Sequence, residues 1–86
     1  MTRENQIRKE ILFQLYAVRP IALAPDRITR DAKKQDYDYS ETEIRREAQF
    51  LADENLILKI SEPGTTVLMY RIASAGVRHY EQTYAA

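Results

Sequence analysis

Thr42, Arg45, Arg46 and Gln49 share a polar strip on an amphipathic segment that opens at Ser40. Arginine carries a planar fork of donors that matches guanine O6 and N7, and glutamine matches adenine N6 and N7. The strip therefore has the donors needed to read base edges in a DNA major groove. The competing reading is a solvated helix face whose charges serve solubility. Upstream, Arg27, Arg30, Lys33 and Lys34 form a second cationic face suited to phosphates, which fix register without reading sequence. Intrahelical pairing, such as Arg27 with Asp31 at i,i+4, competes for those cations. Further along, Lys59, Thr65, Thr66 and Arg71 can flank a groove, though threonine is at home in any strand.

No catalytic constellation accompanies these residues. The only glycines, Gly64 and Gly76, have neither P-loop nor dinucleotide spacing. His79 is the only histidine and there is no cysteine, so no residue set suggests a metal, a thiolate nucleophile or a disulfide. The serines lack a base partner. An enzyme is not expected, and neither cofactor nor small-molecule effector pocket is legible.

The 86 residues fit one domain, 1–86, with 44% apolar and 30% charged residues. Thirteen basic residues balance thirteen acidic ones, so nucleic-acid binding must come from local placement of charge. The longest apolar runs, Ile21–Ala24 and Leu56–Leu58, fall far short of the about 20 residues of a membrane span. The N-terminus has no secretory pattern, and a chain without cysteine suits a reducing cytoplasm.

Hydrophobic spacing orders the elements. Ile7, Ile11, Leu12, Leu15 and Val18 predict a helix over 6–18, with Arg8, Lys9, Glu10 and Gln14 on its outer face. Arg19-Pro20 ends it. Ile21–Leu23 suits a short strand, and Pro25-Asp26 restarts a helix with Ile28 and Ala32 inward. Ser40 and Glu43 form a capping box that opens a third helix, expected over 41–54, with Ile44, Ala48, Leu51 and Asn55 on one face. Asn55 also suits a left-handed cap. Leu56–Glu62 and Thr65–Ile72 form a hairpin, 56–72, around the Pro63-Gly64 turn, with Leu68, Tyr70 and Ile72 on the buried face. A short helix opens at Ser74 and ends near Tyr84. Tyr37 and Tyr39 suit core packing better than phosphate contact, and Phe13, Tyr16 and Phe50 are either core edge or a dimer face.

The order helix, short strand, helix, helix, hairpin, helix resembles that of winged helix-turn-helix proteins. Glu43–Ile57 is similar to that superfamily's recognition helix running into its first wing strand, and Arg71–Val77 is similar to its strand exit into a closing helix. Small winged-helix proteins of bacterial and prophage origin look alike in length and layout. Asn55 stands where glycine is common, and the acidic Asp36 and Asp38 precede the recognition helix, which DNA readers avoid. The resemblance implies an α+β fold with a three-helix core, a C-terminal β-hairpin wing and a short final helix. It implies a regulator binding double-stranded DNA through helix 41–54 and the 56–72 wing, possible as a homodimer. The alternative is a winged-helix protein-interaction module in a larger, phage-related assembly, motivated by zero net charge and by the acidic stretch 36–43.

Overall fold

Thr2 starts the first helix earlier than the apolar spacing alone places it. Its side chain accepts the Asn5 N–H at 3.1 Å, so α1 runs Arg3–Ala17 rather than from Gln6. The computed structural model describes residues 1–61 and 63–85. After α1 come α2 (Pro25–Lys34), α3 (Glu41–Asp53), β1 (Ile57–Ser61), β2 (Leu68–Ile72) and α4 (Ser74–Thr83). The class is α+β, as the element order implied.

The expected strand at 21–23 shrinks to one bridge, in which Leu23 and Tyr70 exchange both backbone hydrogen bonds at 2.8 Å. Pro20 and the Ala24 cap of α2 leave too little extended chain for a longer ladder. Both backbone groups of Tyr70 are thereby spent on Leu23, and its ladder partner Lys59 faces it as a non-hydrogen-bonded pair. The Ser40–Glu43 capping box forms, with both reciprocal hydrogen bonds at 3.1 Å. α3 ends at Asp53, one residue before the expected 54, with Glu54 as its cap. Asn55 adopts φ 63°, as a left-handed cap requires. That turn carries it off the helix, so Asn55 is exposed and not on the inward face.

In the hairpin, Ile57 pairs with Ile72 and Ser61 with Leu68, so the ladder is shorter than the expected 56–72. Gly64 takes φ 81°, near the +80° that the third position of a type II turn demands. Thr65–Val67 lie outside the ladder, and Pro63, which the register would set opposite Thr66, has no N–H to offer it. Glu62, expected to end the first strand, lies outside the described residues.

Ile7, Ile11 and Leu15 of α1 pack with Ile28, Ala32, Ile44, Ala48 and Leu51, and with Ile57, Tyr70 and Ile72 from the hairpin. Tyr39 joins this core at 2% exposure, and Tyr37 stacks on it from outside at 5.0 Å between ring centroids. Tyr16 stacks on Tyr80 of α4 at 4.5 Å and belongs to the core edge. Phe13 and Phe50 remain about two-fifths exposed. No described helix is long and apolar enough to cross a membrane.

One expectation about α1 is reversed. Glu10 and Gln14, assigned to its outer face, are 5% and 6% exposed because α2 and the turn after it cover them. Gln14 Nε2 donates to Glu10 Oε2 at 2.7 Å and to the Ile28 carbonyl at 3.0 Å, while Gln35 Nε2 donates to the same carboxylate oxygen at 2.6 Å. Burial pushes the Glu10 carboxyl above its ordinary value, and the two amide donors pull it partly back. The ionised form thus weakens the fold at neutral pH, a cost that fades as pH falls through that raised value to the unfolded one. Glu10→Gln keeps an acceptor for both amides and removes the charge. Its melting temperature is expected to exceed that of the parent at about pH 7.5, with the difference gone below about pH 4. A lower value at the higher pH would contradict this account.

Candidate nucleic-acid interface

The capping box sets the first turn of α3, and its buried face of Ile44, Ala48 and Leu51 sets the rotation. Thr42, Arg45, Arg46 and Gln49 consequently all point outward and are exposed. Their partners are local. Arg45 Nε donates to Glu41 Oε2 at 2.9 Å, and Gln49 Nε2 donates to Asp53 Oδ1 at 2.7 Å. Arg46 Nε lies 2.8 Å from Glu47, a carboxylate only 3% exposed that Arg8 of α1 also holds at 2.8 Å.

Lys59 joins the hairpin to this strip. Lys59 stands opposite Tyr70 in the ladder, on the hairpin face turned toward α3, and its Nζ donates to Gln49 Oε1 at 2.8 Å. Gln49 is therefore a tie between helix and hairpin as well as a base-reading candidate. Arg71 pairs with Leu58 on the opposite face and does not join the strip. Thr65 and Thr66 are exposed beside the turn, with Thr65 Oγ1 accepting the Val67 N–H at 3.4 Å.

On α2 the competing intrahelical reading holds for part of the cationic face. Asp31 takes Arg27 at 3.2 Å and Lys34 at 3.6 Å. Arg30 and Lys33 are exposed and make no ion pair among the described residues.

Arg3 is the residue that the sequence reading missed. From the first turn of α1 it reaches Glu43 with Nε at 2.7 Å and a second nitrogen at 3.1 Å, and Asp38 at 3.2 Å. Hydrogen bonds from Arg3, then from the Ser40 N–H, draw the Glu43 carboxyl down to about 2. Two of the acidic groups around the start of α3 thus share one intramolecular cation. No local signal marks this pairing, because its partners lie about 40 residues apart.

These pairs do not lock the cations. Exposed ion pairs contribute roughly 0–1 kcal/mol, so a phosphate or a base edge can take Arg45 from Glu41. Arg46 can leave Glu47 while Arg8 remains to satisfy that buried carboxylate. Among the described residues no group of three or more His, Cys, Asp or Glu side chains is arranged to hold a metal ion.

No family model and no curated protein matches the chain. Among solved structures, the Helicobacter pylori ferric uptake regulator Fur, described as having three functional metal-binding sites, is similar with a TM-score of 0.69 and 29% identity. The likeness covers 80% of this chain but 45% of the Fur chain, so this chain spans less than half of that regulator. It gives no support to a prophage origin. Among the described residues, four helices and a two-stranded antiparallel hairpin, superimposing on part of the Fur chain, make this a winged helix of the α+β class.

Proposed function

We propose that this winged helix is a transcription regulator that binds duplex DNA sequence-specifically, with α3 in the major groove and the β1–β2 hairpin as the wing. The observation that carries the reading is the exposed strip of Arg45, Arg46 and Gln49 on α3, which one hydrogen bond from Lys59 to Gln49 couples to the hairpin. Arg45, Arg46, Gln49 and Thr42 are the base-reading set. Arg30, Lys33, Lys34 and Lys59 take phosphates, and Thr65 and Thr66 sit over the backbone at the wing tip. The likeness to part of a ferric uptake regulator agrees with a regulatory role. Two copies on a palindromic site is the expected stoichiometry, since protein and operator symmetry match in helix-turn-helix dimers.

Fluorescence anisotropy against DNA fragments from the protein's own genomic neighbourhood tests this. One fragment is expected to bind tightly, and about four phosphate contacts per copy, about eight for the pair, give a slope of log K against log salt of about −7, from 0.9 per contact. Absence of binding at low salt would overturn the proposal and favour the protein-interaction module.

A further inference from the structure

Glu10, Gln35, Phe13, Tyr37, Tyr80 and Tyr84 line a cleft of about 540 Å³ bounded by α1, the turn after α2 and the end of α4. Its size falls in the roughly 300–1,000 Å³ range of small-molecule sites. The aromatic walls are braced from behind. Tyr37 stacks on the buried Tyr39 at 5.0 Å, and Tyr80 stacks on Tyr16 at 4.5 Å while meeting Tyr84 at 5.6 Å. Such rings present electron-rich faces that attract cations.

The polar end of the cleft is unusual. Glu10 is 5% exposed, and both of its amide donors act on Oε2. Among the described residues, Oε1 receives no hydrogen bond and no cation lies within ion-pair distance of the carboxylate. A largely buried carboxylate without a cationic partner is poorly solvated, and a cation docking on it offsets part of that cost. A cation already uses one wall, since the Lys9 ammonium lies 5.3 Å from the centre of the Tyr84 ring.

We propose that this cleft binds a small organic cation with a flat apolar body, its charged nitrogen donating to Glu10 and its ring lying among Tyr37, Tyr80 and Tyr84. The carboxylate excludes anions. A bare metal ion lacks the additional acidic or imidazole ligands it would need, among the described residues. The site lies apart from the α3 strip, and its occupancy is readable without DNA.

Three probes of one shape separate the charge requirement from the apolar one: benzamidine (cationic), benzamide (neutral) and benzoate (anionic). Each is titrated into the full chain by calorimetry, with amide chemical shifts locating the site. Benzamidine is expected to bind ~10-fold or more tightly than benzamide, as a charge-assisted hydrogen bond plus ring contacts imply, and benzoate not at all. Glu10→Gln is expected to reduce benzamidine to the benzamide level. Lys9→Gln, at an exposed position, is expected to strengthen benzamidine binding by removing the resident cation. Equal affinity for benzamidine and benzamide, no binding of either, shifts confined to another face, an unchanged Glu10→Gln, or weaker binding by Lys9→Gln would overturn the proposal.

Discussion

Gly76→Ala is expected to lower the melting temperature by about 15 °C, equivalent to ~3 kcal/mol in a domain of this size. A Cβ at Gly76 would stand 2.0 Å from the Leu56 carbonyl oxygen and 2.8 Å from Ile72 Cγ1. The first obstacle is backbone and cannot swing away, and the same carbonyl accepts the Ala73 N–H at 3.0 Å just before α4 begins. Alanine favours a helix over glycine by about 1 kcal/mol, which offsets only part of that clash. α4 must then lift from the hairpin, loosening the contacts of Val77 and Tyr80 with the core. Gly64→Ala is the informative control. Its Cβ meets nothing within 4 Å, and the only cost is the left-handed backbone at φ 81°, about 1 kcal/mol. Thermal melts followed by circular dichroism compare the two. Equal melting points would mean that the close approach at Gly76 does not hold α4 in place.

The second large effect concerns DNA. Replacing Arg45 and Arg46 together by alanine is expected to weaken binding to the preferred fragment by ~100-fold or more, since each lost bidentate contact to a base costs about 1–3 kcal/mol. Binding to unrelated DNA is expected to change far less, because Arg30, Lys33, Lys34 and Lys59 remain for phosphates. Thermal stability separates binding from folding. Removing Arg46 takes one of two partners from the buried Glu47, and Arg8 still holds it at 2.8 Å. A variant that melts like the parent and binds the preferred fragment with parental affinity would remove α3 as the reading helix. Loss of binding to all fragments alike would reassign the two arginines to phosphates.

Local chemistry made much of the fold legible. The capping box at Ser40, Pro25 at the start of α2, Asn55 after α3 and the Pro63-Gly64 turn act within a few residues of themselves, and a sequence displays such neighbours directly. The exposed strip Thr42, Arg45, Arg46 and Gln49 follows from the same logic, because the periodicity of Ile44, Ala48 and Leu51 sets which side of α3 faces out.

What only the tertiary structure decided are the pairings between distant segments. Arg3 pairs with Glu43 and Asp38 across two helix starts, Lys59 joins Gln49 between hairpin and α3, and Glu10 is buried beside Gln35 although its polarity argued for an outer face. Glu10 and Gln14 stand three and seven residues after Ile7, in the core stripe by spacing, but a polar side chain there reads as solvent-facing until the partners that satisfy it, Gln35 and the Ile28 carbonyl, are laid over it. The sequence by itself determined the order of helices and hairpin, the Ser40 and Asn55 caps of α3 and its outward strip. The packing of α1, α2 and α4 decided which charges are neutralised and where a buried carboxylate faces an aromatic cleft, because those outcomes depend on distances between segments that no local rule encodes.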